Sequence, residues 1–232
     1  HYGFVVEKVY PDSPAEKAGV KRGDVIMMVS SSYITSSNYY QYFMSIENNS
    51  VSELKLKLKR QTDGESYDAT LRKSAYDKTP VMHYEVIELE GKKIGYLVYT
   101  SFDQEYNEAM LDAIKELKAA GAEEFILDLR CNGGGSVASA VKLCSALMPE
   151  RLNGAVLCSL ERNKKNSGME SKSKFCLEGA GDILSLERLT VICSDYSASA
   201  SELVVMGLRG LDFPVMLVGA QTEGKTCGMD VT

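Results

Sequence analysis

The stretch that decides the fold of the second half of the chain is Leu189-Thr190-Val191-Ile192-Cys193, followed by Ser197-Ala198-Ser199-Ala200-Ser201-Glu202. Its first five residues are apolar and partly β-branched, which predicts a short buried strand. Apolar residues continue with helical spacing to Leu208, so the serines lie where a strand turns into a helix. The first N–H groups of a helix have no internal partner and stabilise negative charge. A serine there can act as a nucleophile if a base reaches it, whereas a simple helix N-cap is the alternative.

Composition narrows the class of protein. The 232 residues are 44% hydrophobic and 25% charged, which is typical of a folded globular chain long enough for two modest domains. A net charge of −6 and the lack of a basic stripe disfavour nucleic-acid binding. No apolar run reaches the roughly 20 residues that span a bilayer. The chain opens in a strand-like run without a signal peptide, so we expect a mature or trimmed fragment whose compartment its start does not give.

Cysteine and histidine usage argues against a metal site. The six cysteines show no Cys-x-x-Cys spacing, and the chain has two histidines, His1 and His83. A zinc site is therefore not expected, and no cofactor is predicted. Most cysteines are expected to be small buried side chains. A pairing of Cys158 with Cys176 across a hairpin is left open.

The first 74 residues predict a small β-rich domain. The predicted helices and strands are a strand over Gly3–Tyr10, a short helix over Ala15–Ala18 ended by Gly19, a strand over Val25–Val29, a helix over Tyr39–Glu47, and strands over Leu54–Lys59 and Tyr67–Arg72. In the fifth of these, leucines alternate with lysines, which is the period of a half-exposed strand.

The stretch from Ser13 to Ile26, Ser-Pro-Ala-Glu-Lys-Ala-Gly-Val-Lys-Arg-Gly-Asp-Val-Ile, resembles the signature of bacterial-type PDZ domains. The resemblance implies a groove between a strand and a helix that takes an extended peptide as an added strand. Tyr2-Gly3-Phe4-Val5 would cradle the terminal carboxylate of the peptide, and the helix near Tyr39–Ile46 would form the opposite wall. One departure is Val29-Ser30-Ser31-Ser32, where Val-Asn-Gly is usual. A small β domain without a peptide role is the alternative.

A polar stretch, Ser74–Pro80, marks the expected boundary of a second domain over residues 80–232. Strands alternate with helices along it, which predicts an α/β core. The predicted strands are Val81–Leu89, Lys93–Tyr99, Glu124–Leu129, Leu152–Leu160, Lys172–Leu177, Leu189–Cys193 and Phe213–Val218. Helices are predicted from Phe102-Asp103 and over Val137–Met148, and Glu161–Ser173 is expected to be a solvated loop or hairpin tip.

Three segments of the second domain resemble one family. Leu127-Asp128-Leu129-Arg130-Cys131-Asn132-Gly133-Gly134-Gly135, the serine segment Ser197–Glu202, and Val218-Gly219-Ala220-Gln221-Thr222-Glu223-Gly224-Lys225 are similar to motifs of the C-terminal processing peptidases, the S41 serine peptidases. Their order and the preceding PDZ signature fit as well. The resemblance implies a crotonase/ClpP-like α/β peptidase core behind the PDZ domain.

The resemblance also implies a mechanism. Ser199 would be the nucleophile, Lys225 its general base, and the N–H groups of Gly134 and Ala200 the oxyanion hole, with Gly135 as the neighbouring candidate. A serine hydroxyl needs a base, and His1 and His83 are poorly placed for that work. The uncharged residues around Lys225 are compatible with a desolvated lysine. The implied substrates are proteins with apolar C-termini. The implied location is extracytoplasmic, either periplasmic or at a membrane face, and nucleic acid is not an expected partner.

The chain departs from the family pattern in several places. Met229 stands where many members have glutamine, Arg209-Gly210 replaces Gln-Asp, and the segment from serine to lysine is about one residue longer. The chain stops at Thr232, where members continue, so the C-terminal part is expected to be missing or this variant is shortened. Two other functions stay open. One is a non-catalytic binding scaffold, and the other is a crotonase-like acyl-CoA enzyme.

Overall fold

The computed structural model describes residues 2–47, 51–174, 184–225 and 227–229. The chain divides into two units, His1–Thr79 and Pro80–Thr232. Within the described ranges, no helix combines the length and apolar character needed to cross a membrane.

The N-terminal unit is an antiparallel sheet with two helices. Its elements are β1 (Phe4–Val5), α1 (Pro14–Lys17), β2 (Val25–Val29), β3 (Ser32–Tyr33), α2 (Tyr39–Glu47), β4 (Glu53–Lys59) and β5 (Ser66–Arg72). The strand order is β1-β2-β4-β5, and β3 pairs with β2. Leu56 and Leu58 of β4 are buried, whereas the alternating lysines at 55, 57 and 59 are exposed or partly exposed, as the alternation predicts.

The first strand is much shorter than predicted. We expected a strand over Gly3–Tyr10, and this was wrong, because β1 covers only Phe4–Val5. Val6 bonds to the turn that precedes β2, since it donates its N–H to the carbonyl of Asp24 and accepts from the N–H of Gly23. Since the chain before β2 turns at Asp24, no strand within the described part of the chain lies opposite the residues after Val6.

Asp24 of the Gly-Asp signature connects the turn before β2 to the β4–β5 hairpin. The residue is buried, and its carboxylate accepts hydrogen bonds from the N–H groups of Lys21 and Gln61 and from the hydroxyl of Tyr67. Burial opposes ionisation of this carboxyl, but the hydrogen bonds outweigh it and lower its pKa. The same contact, together with burial, raises the pKa of Tyr67 to about 12.

The second unit is an α/β core. Its elements are β6 (Val81–Leu89), β7 (Lys92–Tyr99), α3 (Asn107–Ala119), β8 (Glu124–Asp128), α4 (Val137–Leu147), β9 (Val156–Leu160), β10 (Ser171–Lys174), β11 (Leu189–Cys193), α5 (Ala200–Arg209) and β12 (Val215–Gly219). The main sheet has the order β12-β11-β8-β7-β6, and only the β6–β7 pair is antiparallel. The β9–β10 hairpin forms a separate two-stranded sheet. The alternation of strands and helices predicted from the sequence is therefore confirmed.

The hydrophobic core of this unit lies between the strands and the three helices. Leu97, Phe125, Leu127 and Val191 of the sheet pack in one cluster with buried residues of the helices, among them Met110, Ile114, Leu143, Leu147, Val204 and Leu208. Buried residues alternate along β8 and β11, which is the pattern that fixes the register of a strand.

Several predicted boundaries were wrong. The helix expected from Phe102 begins at Asn107, because Phe102 instead forms a parallel bridge with Gly135 and Asp103 caps a 3₁₀ turn. The strand expected from Leu152 begins at Val156, since Leu152 ends another 3₁₀ turn. The strand expected over Lys172–Leu177 is observed over Ser171–Lys174. Its last three residues, with Cys176 of the cysteine pairing, lie outside the described residues.

We predict that Asp24→Asn selectively destabilises the N-terminal unit. The amide can accept through one oxygen only, so the free energy of unfolding falls by about 1–3 kcal/mol at pH 7. Because the folded pKa of Asp24 is lowered, its contribution is present above the unfolded value of about 3.9 and is lost as the pH falls through the folded pKa. Urea unfolding followed by NMR resonances of β4 and β5 measures the change.

The matched control is Asp68→Asn, which removes an exposed carboxylate in the same hairpin. Its effect should stay within about 0.5 kcal/mol. Equal effects of the two substitutions would contradict the role given to Asp24.

Candidate active site

The topology brings the three sequence motifs of the second unit to one edge of the sheet. The parallel strands β8, β11 and β12 are neighbours, and their carboxyl ends are followed by the glycine loop, the serine turn and the lysine segment, respectively. We define the glycine loop as residues 130–136, the serine turn as 194–199 and the lysine segment as 220–225. The carboxyl edge of a parallel sheet is where such folds place their ligand sites.

Asn132 ties the glycine loop to its surroundings. It is completely buried, its side-chain amide donates to the carbonyl of Tyr99 (2.9 Å), and its own carbonyl accepts from the hydroxyl of Ser201 (2.8 Å) and the N–H of Ala198. The loop and the serine turn are thus held together by hydrogen bonds that are shielded from water. Buried polar groups that are satisfied in this way define a single geometry.

Gly134 lies directly against the start of α5. Its φ is 105°, and a Cβ on it would lie 2.7 Å from Cβ of Ser199 and 2.9 Å from the nitrogen of Ala200. No side chain fits there, so the close approach of the two backbones requires glycine. The structure therefore brings together Gly134, Ser199 and Ala200, three of the residues that the sequence motifs singled out.

The predicted oxyanion donors differ in their bonding. Ala200 is the first residue of α5, and its N–H therefore has no acceptor within the helix. The N–H of Gly134, in contrast, donates to Oδ1 of Asn132 at 2.9 Å. In this conformation Gly134 lies beside Ser199, but the N–H that was expected to bind an oxyanion donates to Asn132.

Two of the three serines have structural roles. The hydroxyl of Ser197 donates to the carbonyl of Leu129 (2.7 Å), and that of Ser201 donates to the carbonyl of Asn132. Both residues are only 1% exposed. Ser199 is partly exposed and is the N-cap of α5, where it forms a capping box with Glu202. Of the three serines, Ser199 is therefore the one that solvent reaches.

The backbone of Ser199 is in a sparsely populated conformation. Its φ of 56° and ψ of −113° lie outside the regions favoured by residues with a side chain, which costs about 1–3 kcal/mol. The hydrogen bonds of the serine turn hold it there, including one from the N–H of Leu203 to the carbonyl of Ser199 (2.8 Å). Strain of this kind is common where a strand turns sharply into a helix to present a nucleophile.

Glu202 joins Ser199 to the lysine segment. Its Oε2 accepts from the N–H groups of Ser199 and Lys225, both at 2.9 Å. Its Oε1 accepts from the hydroxyl of Thr222 (2.7 Å) and the N–H of Gly224 (2.6 Å). One carboxylate therefore fixes both motifs, and the N–H of Glu223 adds a bond to the carbonyl of Ser197.

The charge of Glu202 is maintained by these contacts. Burial opposes its ionisation, but the hydrogen bonds from Thr222 and the three backbone N–H groups outweigh burial and lower its pKa. The sequence motifs had not indicated a role for Glu202. A signal was present, because a glutamate three residues after a serine at a helix start is the capping-box pattern.

The histidines remain away from this junction, as far as the structure describes them. His83 lies on β6, which β7 and β8 separate from β11, and its ring contacts Tyr96 with centroids 6.1 Å apart. His1 lies outside the described residues. Lys225 is partly exposed, and its backbone N–H shares Oε2 of Glu202 with the N–H of Ser199. Among the described residues, no group of three or more His, Cys, Asp or Glu could hold a metal ion.

Asp128 and Arg130 brace the end of β8. The buried carboxylate of Asp128 accepts from the guanidinium and N–H of Arg130 and from the hydroxyl of Tyr96 (2.8 Å). Burial opposes its ionisation, but these bonds prevail and lower its pKa. The carbonyl of Arg130 accepts from the hydroxyl of Ser194, which fixes the start of the serine turn.

The predicted carboxylate cradle of the N-terminal unit lies at an edge of its sheet. Gly3 is pressed against β2, since a Cβ on it would lie 2.7 Å from Cγ1 of Val25. The ring of Phe4 approaches that of Phe43 on α2, with centroids 6.4 Å apart, so β1 and α2 are neighbours. Tyr2, Val5 and Phe43 are about half exposed or more. The sequence-predicted strand and helix walls therefore lie side by side.

We predict that Glu202→Gln loosens the lysine segment. The amide keeps one acceptor oxygen and presents an NH₂ group to backbone donors, so about half of the hydrogen bonds are lost. Amide hydrogen exchange of Gly224 and Lys225 should accelerate about tenfold or more, which corresponds to roughly 1.4 kcal/mol. Glu223→Gln, which changes the exposed neighbouring carboxylate, should leave exchange at Lys225 unchanged. An unchanged rate in the Glu202 variant would contradict its bridging role.

Models of two protein families match the two units of the chain. The family model for peptidase family S41 matches residues 93–232, and a PDZ domain model matches residues 5–58. Carboxy-terminal processing protease CtpA of Bacillus subtilis (strain 168) is 29% identical over 215 residues, covering 92% of this chain and 42% of the relative. Carboxyl-terminal-processing peptidase 2, chloroplastic, of Arabidopsis thaliana is 26% identical, covering 96% and 42%. The chain thus spans less than half the length of these curated relatives.

Solved structures give the same result. A protein assigned to the S41 proteases, from Bacteroides fragilis NCTC 9343, superposes with a TM-score of 0.78 at 30% identity, covering 97% of this chain and 60% of that one. The photosystem II D1 C-terminal processing protease superposes with a TM-score of 0.54 at 22% identity, covering 96% and 57%, and supports the fold. With the family match extending over more than half of its length, the chain belongs to peptidase family S41 and carries a PDZ domain ahead of the peptidase region.

Proposed function

We propose that the protein is a serine endopeptidase of the carboxyl-terminal processing type, in which Ser199 is the nucleophile and Lys225 the general base. The observation that carries the proposal is the Glu202 carboxylate, which binds the N–H of Ser199 and the N–H of Lys225 at once. The commitment of Ser197 and Ser201 to structural bonds supports the choice of serine.

The proposed reaction runs through an acyl-enzyme. The hydroxyl oxygen of Ser199 attacks the carbonyl carbon of the scissile bond while the uncharged amine of Lys225 takes its proton. The oxyanion is stabilised by the N–H of Ala200 and a second N–H from the glycine loop. Collapse breaks the C–N bond, and the leaving amine receives the proton from Lys225. Water then attacks the ester carbonyl while Lys225 takes its proton, and the C–O bond to Ser199 breaks as Lys225 returns that proton to the serine oxygen.

Gly134 can supply the second oxyanion N–H only if its hydrogen bond to Asn132 opens. Gly135 is the neighbouring candidate. The engaged state of Gly134 is the observation that favours the alternative function, a non-catalytic scaffold with a peptidase fold. Met229, which is strongly exposed, replaces the glutamine usual in the family and points the same way. Turnover that depends on Ser199 distinguishes the enzyme from the scaffold.

We propose that the N-terminal unit recognises substrate proteins by an apolar C-terminus. β1 is the terminal strand of its sheet, and the exposed ring of Phe43 lies beside it. An extended peptide could add to β1 and place apolar side chains against α2, with its carboxylate at the N–H groups near Gly3. An extracytoplasmic location, either periplasmic or attached to a membrane face, is proposed from the family resemblance alone.

Replacing either member of the dyad should abolish cleavage. We expect Ser199→Ala and Lys225→Ala each to lower kcat by at least about 10³-fold, and the double variant to lose little more, because the two residues act as a unit. Lys225→Arg should fail as well, since a guanidinium stays protonated. The assay is cleavage of an unstructured protein with an apolar C-terminus, without added metal.

Matched controls are Ser159→Ala and Lys142→Ala, which change an exposed serine of β9 and a lysine of α4 in the same unit. Both should cleave at the parent rate. Full turnover by the Ser199 variant would contradict the proposed mechanism.

The peptide groove has a separate prediction. A peptide with an apolar C-terminus should bind the protein about tenfold more weakly after Phe43→Ala or after amidation of its terminal carboxylate, since each removes roughly 1.4 kcal/mol of contact. Fluorescence polarisation in the Ser199→Ala background avoids cleavage. Tyr33→Ala is the control, because this exposed tyrosine pairs with the other end of β2. Equal affinity of the Phe43 and Tyr33 variants would refute the groove.

A further inference from the structure

Tyr196 lies in the serine turn, three residues before Ser199, and the proposed mechanism does not use it. Its side chain is 55% exposed, although Ser197 beside it is buried. A large aromatic side chain in water beside a candidate active site contributes little to the core. Packing in the hydrophobic core therefore does not explain why a large aromatic side chain stands at this position.

The backbone of Tyr196 is held in place by its neighbours. Its N–H donates to the hydroxyl of Ser194 (3.1 Å), and that hydroxyl donates to the carbonyl of Arg130. The hydroxyl of Ser197 accepts from the N–H of Ser194 (3.0 Å) while donating to Leu129. The turn that carries the ring is thus fastened to the end of β8 on both sides of Tyr196, so its Cα has a fixed position.

The ring of Tyr196 crosses from the serine turn to the glycine loop. Its Cε1, Cζ and hydroxyl oxygen lie 3.4, 3.5 and 3.5 Å from the point where a side chain on Gly133 would begin. Gly133 is itself exposed, so the ring rests on a surface backbone and covers no apolar core. The next residue, Gly134, contacts Ser199 and Ala200. The hydroxyl end of the ring therefore lies against Gly133, and the next residue, Gly134, lies against Ser199.

We propose that Tyr196 is a specificity-determining residue, whose ring receives an apolar or aromatic substrate side chain flanking the scissile bond. This inference rests on the proposed role of Ser199. A fixed ring with only two side-chain torsions loses little entropy on contact, and an aromatic partner gains from stacking as well as from burial. The ring, and not its hydroxyl, makes the contact, so phenylalanine should replace it.

The experiment compares Tyr196→Ala and Tyr196→Phe in the full-length protein. Matched peptides carry Phe, Ala or Asp in turn on each side of the scissile bond, and their C-termini are amidated to weaken binding to the N-terminal unit. In the parent and in the Tyr196→Phe variant, kcat/KM should be higher for the peptide that carries phenylalanine at one of the two flanking positions than for the peptides that carry alanine or aspartate there. In the Ala variant, that preference should fall about three- to tenfold.

A second measurement keeps the inference testable without turnover. Affinities of the same peptides are measured in the Ser199→Ala background with and without Tyr196→Ala, and the preference for Phe should again disappear with the ring. The inference would be overturned if the preference for phenylalanine stayed unchanged in the Tyr196→Ala variant, or if the Tyr196→Phe variant lost as much of it as the alanine variant. Neither outcome would affect the assignment of Ser199 as the nucleophile. If instead binding depends on the ring of Tyr196 but no cleavage depends on Ser199, the proposed function would be overturned.

Discussion

The site depends on one carboxylate. Each carboxylate oxygen of Glu202 accepts two hydrogen bonds. These four bonds connect the strained start of α5 to the lysine segment after β12. Without it, the two motifs would be joined mainly by the single bond between Glu223 and Ser197. Since the group is partly buried and its pKa is lowered, it stays ionised at neutral pH and binds its donors as a charge. Its position in the first turn of α5 also complements the helix dipole.

The rest of the fold brings Glu202 and its partners into reach. Parallel pairing of β8, β11 and β12 places three loops at one edge, and the buried core under α3, α4 and α5 fixes the register of those strands. Asn132 then holds the glycine loop against the serine turn, which leaves no room for a side chain at Gly134. The unfavourable backbone angles of Ser199 persist because these contacts on every side determine them.

Much of this could be predicted from sequence, because the determining features are local. The periodicity of Leu54–Lys59 predicted a half-exposed strand, and three short motifs predicted which loops meet. The bond between Gly134 and Asn132 could not be predicted, since it depends on a peptide orientation within the loop. The length of β1 could not be predicted either, because it depends on the turn before β2, with which Val6 forms hydrogen bonds. The contact of Tyr196 with Gly133 is likewise tertiary, and no pattern in the sequence indicates it.

The most direct test of the central claim is covalent labelling of the protein with a fluorophosphonate, which reacts with activated serines, followed by peptide mapping. The mechanism requires one adduct, on Ser199, that disappears when Lys225 is replaced by alanine and remains when Lys142 is replaced. An adduct on Ser197 or Ser201, or no adduct in a protein that still folds, would contradict the assignment of Ser199 as a lysine-activated nucleophile.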